Sequence, residues 1–250
     1  MIALKTEFQK IKRRKIGLSM SALIGVQFVW FLWANKDPGE KELAQGWINL
    51  LHTLPLLNVI MMPTIMSVLA SRLSDLEHKG NTYKQLRTLR RPGILYDAKV
   101  LCGFLFIAAI CAAQILFLLA LGFYYHYTDT LYLRYYILTF LLDFACCFSL
   151  YLLQLDLSLL FYNQMIPLVV GLCGSLLGLI LMYIKMYSFL PWGGFLSCAL
   201  VGMDWNVETR IVTYFYREHS PIELCAMGMV LIWIVLFYMA GRIVFTRKEV

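Results

Sequence analysis

Apolar residues along this chain gather into six long runs, separated by shorter polar stretches. A helix needs about 20 apolar residues to cross the hydrocarbon core of a bilayer. The runs reach that length over about Ile16–Ala34, Trp47–Ala70, Val100–Tyr124, Tyr136–Leu160, Pro167–Met186 and Ile222–Phe245. They predict an all-α integral membrane protein with six transmembrane helices. Pro55 and Pro63 fall inside the second run. Proline in a spanning helix is tolerated where neighbouring helices satisfy the freed carbonyls, so kinks are expected there rather than a break. Ahead of the first span, Leu4, Phe8 and Ile11 recur at helical spacing among Lys5, Lys12 and other polar residues. That pattern predicts a short amphipathic helix over 1–15, lying on the membrane surface with its lysines over acidic lipid.

Charge turns this layout into a topology. Lysine and arginine crowd into the segment 1–15, the segment 71–99 and the C-terminal tail, while the intervening stretches balance or invert the sign. Sixteen of the 22 Lys and Arg residues fall on the side holding both termini, and six on the other. Basic loops stay in the cytoplasm, so both termini and the 71–99 region are expected there. Tyrosine and tryptophan mark the opposite interface: Trp30, Trp33 and Trp47, Tyr124 to Tyr136, then Trp192 and Trp205. These amphipathic rings prefer headgroup depth. With 60% hydrophobic and only 15% charged residues, the 250-residue chain is one polytopic domain. The net charge of +7 sits beside apolar spans, where it suits lipid headgroups rather than nucleic acid. No cleavage site for a secretory leader follows the first run.

Seven cysteines fall mostly inside apolar runs and form no Cys-x-x-Cys pair, so they read as small hydrophobes. Cys198 and Cys225 alone could lie near the outer face, where a disulfide could join them. Catalysis finds little support. The four histidines are scattered over both sides, and neither His-Glu-x-x-His nor a Ser/His/Asp set is present.

Polar residues inside the spans need a protein interior or water around them. Asp143 lies in the fourth span nearer the outer end, and Asp156 nearer the cytoplasm. Asp143 has two readings: a contact for a cationic peptide in the outer leaflet, or a carboxylate hydrogen-bonded between helices. Gln114 and Asn58 read as interhelical hydrogen-bond partners. The external stretch 187–221 is too apolar in its first half for a free loop. Phe189-Leu190-Pro191-Trp192 through Leu200-Val201 is expected to dip back toward the membrane, with Trp192 either lining a lateral entrance or sealing the bundle.

The segment 71–99 carries the most punctuation. Leu73 and Leu76 continue the second span's helical face, and Glu77-His78-Lys79-Gly80-Asn81-Thr82 breaks it. Gly80 permits a helix stop, and Asn81 or Thr82 can cap a new helix carrying Lys84, Gln85, Leu86 and Leu89. Arg90-Arg91-Pro92-Gly93 is expected to end that helix, with Tyr96-Asp97-Ala98-Lys99 leading into the third span.

An acidic residue followed by Gly-Asn-Thr-x-Lys-x-Leu after the second span, Tyr-x-x-Lys before the third, and the amino-terminal basic helix together resemble ABC-2-type exporter permeases of the type V exporter kind. The chain length, the Glu77 motif and Pro191-Trp192 after the fifth span are most similar to permease subunits of lantibiotic-immunity transporters. The resemblance implies that residues 71–99 form a coupling region docking in a groove of a separate, soluble ATP-binding subunit dimer. Glu77, Gly80, Asn81, Thr82 and Lys84 would then make the dock. It also implies a sister permease, or a second copy of this chain, as partner. The bacterial plasma membrane would be its location. The substrate would be an antimicrobial peptide expelled from that membrane, with Asp143, Pro191 and Trp192 as substrate-path candidates. The chain lacks Gly-x-x-x-x-Gly-Lys-Ser/Thr, so ATP and its magnesium belong on the partner ATPase and no cofactor is expected here. Two alternatives stand beside this: export of another hydrophobic compound, such as a different peptide antibiotic or a lipid-linked molecule, and a non-transport membrane scaffold.

Overall fold

The computed structural model describes residues 15–36, 39–79, 92–184, 189–206, 212–217 and 221–247. The expected interfacial helix, save Lys15, and the expected helix from Thr82 to Leu89 lie outside the described residues. The chain forms α1 (Ile16–Ala34), the short α2 (Glu40–Leu43), α3 (Gly46–Lys79), α4 (Pro92–Tyr124), α5 (Leu133–Leu160) and α6 (Met165–Ile184). A 3-10 turn (Pro191–Gly193) leads into α7 (Gly194–Ser197). Strands β1 (Val201–Trp205) and β2 (Val212–Tyr216) and the helix α8 (Pro221–Arg247) complete it. Six of these helices, α1, α3, α4, α5, α6 and α8, are long and apolar enough to cross a membrane. With the backbone bonded inside each helix, an apolar surface of this kind can face hydrocarbon.

Helix α3 is the central member: 67% of its most apolar window is buried, against 17% for α8. It packs along α5 and α6, while α8 lies along α5. Pro55 and Pro63 both lie within this unbroken helix. Pro92 corrects an expectation. With Gly93 it opens α4 ahead of the expected start near Val100, so Tyr96, Asp97 and Lys99 lie inside α4's first turns. Proline suits that place because the first helical N–H has no intrahelical acceptor in any case.

The bundle has two chemically different ends. One, the basic end, gathers the C-terminus of α3, the N-terminus of α4 and the last turns of α5 and α8. The aromatic end is built around Trp47, whose ring meets Phe123, Tyr127 and Tyr136 edge-on at 5.2, 5.9 and 6.1 Å. Gly122 is required here, because a Cβ at that position would run into the Trp47 ring. The Tyr136 hydroxyl donates to the Trp47 carbonyl at 2.9 Å. The first turn of α3 carries no acidic residue. A distant carboxylate fills that role: Asp129, in the loop between α4 and α5, accepts from the Trp47 N–H at 3.1 Å and the Ile48 N–H at 3.3 Å. A negative charge on orphan N–H groups at a helix N-terminus is favourable on both hydrogen-bonding and dipole grounds.

The antiparallel hairpin β1–β2, in register from Val201 opposite Tyr216 to Trp205 opposite Val212, sits on this end. It adds a strand pair to an otherwise helical chain. Seven of its ten strand residues, Val201, Trp205, Val212, Thr213, Tyr214, Phe215 and Tyr216, are the β-branched and aromatic types that favour strands. Tyr214 N–H donates to the Gln45 side chain at 3.1 Å, and Tyr216 stacks on Tyr135 at 4.0 Å. Burial, with Asp129 and two neighbouring tyrosines, pushes the Tyr216 phenol up to about 12, so it stays neutral at physiological pH.

Asp129→Ala removes the cap on the central helix. The expected cost is about 1 kcal/mol, up to about 2, read as a lowered unfolding temperature of the purified permease. An unchanged midpoint would show that the Trp47 and Ile48 N–H groups are satisfied without it.

Candidate functional site

Four helices meet through polar side chains in the interior. Gln27 on α1 donates to the Asn58 carbonyl on α3 at 2.8 Å. Gln114 on α4 donates to the carbonyl oxygens of Gln27 and Asn58, both at 2.9 Å. Asn58 in turn donates to Asp143 on α5 at 3.2 Å. All four are buried, Asn58 completely and Asp143 at 4% exposure. Asn58 is the hub, accepting twice and donating once. The Gln114 carbonyl oxygen, also buried, has no partner among the described residues. Asn58 and Gln114 are the interhelical partners expected from sequence. Gln27 joins them, and Asp143 faces α3 rather than an open path. Gln27 was missed, although a glutamine amid Val26 and Phe28 in an apolar run is itself a signal.

The segment after α6 folds back into the bundle. Pro191 and Phe195 are buried, and Leu200 and Val201, where the segment enters the hairpin, are 6% and 1% exposed. The segment touches α3, α5, α6 and α8. Trp192 packs on α6 exactly where that helix lacks side chains: a Cβ on Gly174 would strike the indole, and one on Gly178 would crowd the Trp192 backbone carbonyl at 3.1 Å. Small residues at a helix contact let backbones approach closely in a membrane. The Trp192 indole N–H is buried and has no partner among the described residues. Phe189, 61% exposed, marks the segment's outer edge, and its carbonyl accepts from the Trp233 indole on α8 at 3.1 Å. Cys198 is buried and hydrogen-bonds to Cys146 of α5. Cys225 is exposed, and both Cys198 and Cys225 are free thiols, so no disulfide joins them.

At the basic end a second polar cluster ties α3, α4, α5 and α8 together. Tyr96 donates to Asp156 at 2.9 Å, and Tyr238 to Asp97 at 3.0 Å. Arg242 pairs with Asp97 at 3.3 Å, with side chains 48% and 39% exposed. Such an exposed pair contributes about 0–1 kcal/mol by itself. Lys99, fully buried, donates to the Leu73 carbonyl at 2.9 Å, and its own backbone carbonyl accepts from Tyr151. The sequence grouped Tyr96, Asp97 and Lys99 as a lead into the span without giving them partners, since those partners lie up to 145 residues away.

Glu77 falls within the last turn of α3, with its side chain outside the described residues. Gly80, Asn81, Thr82 and Lys84 lie outside the described residues altogether. The dock expected from them adjoins the basic-end cluster in sequence on both flanks. Among the described residues, no group of three or more His, Cys, Asp or Glu side chains could hold a metal ion.

The interior network is testable by a double-mutant cycle at Asn58 and Asp143, each changed to Ala. Interhelical side-chain bonds in a bilayer couple by about 0.6 kcal/mol, up to about 1.7. That coupling is expected in the unfolding free energies of the four proteins. Additive effects would break the network at its Asn58–Asp143 link.

No curated protein and no solved structure matches the chain. A family model described as ABC-2 family transporter protein matches residues 3–178, from ahead of α1 into α6. The chain therefore belongs to the ABC-2 transporter family, as a multi-pass membrane permease that works with a separate ATP-binding subunit.

Proposed function

We propose that this permease expels an amphipathic antimicrobial peptide, of the lantibiotic type, from the bacterial plasma membrane and so confers immunity. The observation that carries the reading is the unbroken α3. At 34 residues it spans about 51 Å. It runs from the Asp129 cap, past Asn58, to the Glu77 region. A push applied at the basic end by ATP binding in the partner dimer would travel along this rod. It would shift α3 against α6, where Gly171 closes on Ser67 and Pro63 and Gly174 and Gly178 close on Trp192. A peptide already lying in the outer leaflet needs a lateral opening near that end, not an aqueous pore. Pro191 and Trp192 form the movable wall of such an opening. Asp143, held by Asn58, serves better as a strut aligning α5 with α3 than as a direct contact for peptide.

The alternation of basic loops supports cytoplasmic termini and a cytoplasmic 71–99 coupling region. Glu77, Gly80, Asn81, Thr82 and Lys84 are the proposed dock for the ATPase. A sister permease, or a second copy of this chain, completes the translocation unit.

Co-expression with a cognate ATPase and partner permease tests the export reading. Expected is ATP-dependent release of cell-bound lantibiotic into the medium, lost with a hydrolysis-dead ATPase. Peptide that stays cell-bound in both cases would remove the lantibiotic assignment and leave another hydrophobic cargo.

Glu77→Lys should abolish resistance and ATPase co-purification at unchanged membrane abundance, because it sets a like charge against the docking groove. Full resistance with the ATPase still bound would refute the coupling role.

A further inference from the structure

Beneath the hairpin, at the aromatic end, lies a half-open cavity of about 240 Å³. Its walls include Pro55 and Leu56 of α3, Met182 of α6 and Leu196 of the returning segment. Two side chains of the opposite character line the same space: His52 of α3 and Arg217, which follows β2. Their depth is set by the fold. His52 is one and a half turns into α3 from the Asp129-capped end, and Met182 lies in the last turn of α6. Both side chains thus sit near the ends of candidate spans, and Met182 is 45% exposed.

Arg217 is half-buried, its backbone N–H bonded to the Leu200 carbonyl at 2.9 Å, which anchors it at the cavity rim. Among the described residues no carboxylate pairs with its guanidinium, and no hydrogen bond reaches the His52 imidazole, whose ring is held against Tyr214 at 5.2 Å. The described carboxylates of this end are otherwise engaged or lie apart. Asp129 caps α3, Glu42 accepts from the Gly39 N–H, and Asp204 makes no ion pair with Arg217. A guanidinium partly withdrawn from water beside apolar walls calls for an anion. Its planar fork matches phosphate oxygens two at a time. A cationic peptide would be repelled from the same spot.

We propose that this cavity binds the anionic headgroup of a membrane phospholipid, with Arg217 and His52 on the phosphodiester and the first acyl carbons against Leu56 and Met182. A site of this kind lies where α3, α6, the Trp192 segment and the hairpin converge, so a lipid held there braces the wall against which α6 packs. The inference is independent of what the transporter exports.

The test is native mass spectrometry of the intact transporter, stripped of lipid and titrated with phosphatidylglycerol, phosphatidylcholine or inorganic phosphate. The tightest phosphatidylglycerol adduct should weaken by about tenfold in Arg217→Gln, the loss of one charge-assisted contact. His52→Gln should weaken it by a smaller factor. Arg134→Gln removes the same charge from an exposed position at the same end and should leave that adduct unchanged. Phosphatidylcholine should bind more weakly to the wild type, with little change in Arg217→Gln. Equal losses for Arg217→Gln and Arg134→Gln would overturn the site, reducing it to general surface charge. Displacement of the lipid by millimolar inorganic phosphate would overturn the phospholipid and leave a free-anion site. Thermal unfolding of Arg217→Gln within about 2 °C of wild type separates lost binding from lost folding.

Discussion

In hydrocarbon a buried amide or carboxyl has no water to fall back on, and every polar side chain between the helices must find its partner on another helix. Asn58 is where that constraint is met most economically. One side chain accepts from Gln27 and Gln114 and donates to Asp143, joining α1, α3, α4 and α5. Apolar packing between helices gains little over packing against lipid tails. The relative positions of these four helices therefore depend on a polar hub and on glycines that let backbones meet, rather than on hydrophobic burial alone. The α6 contact is the clearest case of the second device, with Ser67 and the Pro63 carbonyl against Gly171 and the Trp192 ring against Gly174.

This frame makes α3 the mechanical axis. Its N-terminus is capped by a carboxylate from the α4–α5 loop, its middle holds the hub, and its last turns contribute the Leu73 carbonyl to buried Lys99. At the basic end α8 is bound to α4 through Tyr238, Arg242 and Asp97, and α4 to α5 through Tyr96 and Asp156. These ties join α3, α4, α5 and α8 at the basic end, so none of them is free to swivel alone. At the far end the returning segment and the hairpin close over α3 and α5, held by Tyr214 on Gln45 and Tyr216 on Tyr135. The family match ends inside α6. The Trp192 segment, the hairpin and α8 lie beyond it, and the first two contribute Trp192 and Arg217 to the proposed substrate and lipid contacts.

Apolar run length and the placement of Lys and Arg, read from the sequence alone, determined the membrane class, the number of spans and their approximate limits. Each of those is a local property, decided by whether some 20 successive residues favour hydrocarbon over water. Punctuation was less telling: Pro92 reads equally as a stop or a start, and the structure shows that it opens α4. The tertiary structure alone decided the partners. Asp129 capping Trp47, Gln27 meeting Asn58, Tyr96 meeting Asp156 and Cys198 facing Cys146 each join residues 31 or more positions apart. A polar residue in an apolar run announces that it needs a partner, and only the packing of whole helices says which one. The cavity at Arg217 and His52 follows the same rule. Its two polar side chains come from distant parts of the chain, and the hairpin that brings them together is set by cross-strand pairing and contacts with α3 rather than by any run or motif near either residue.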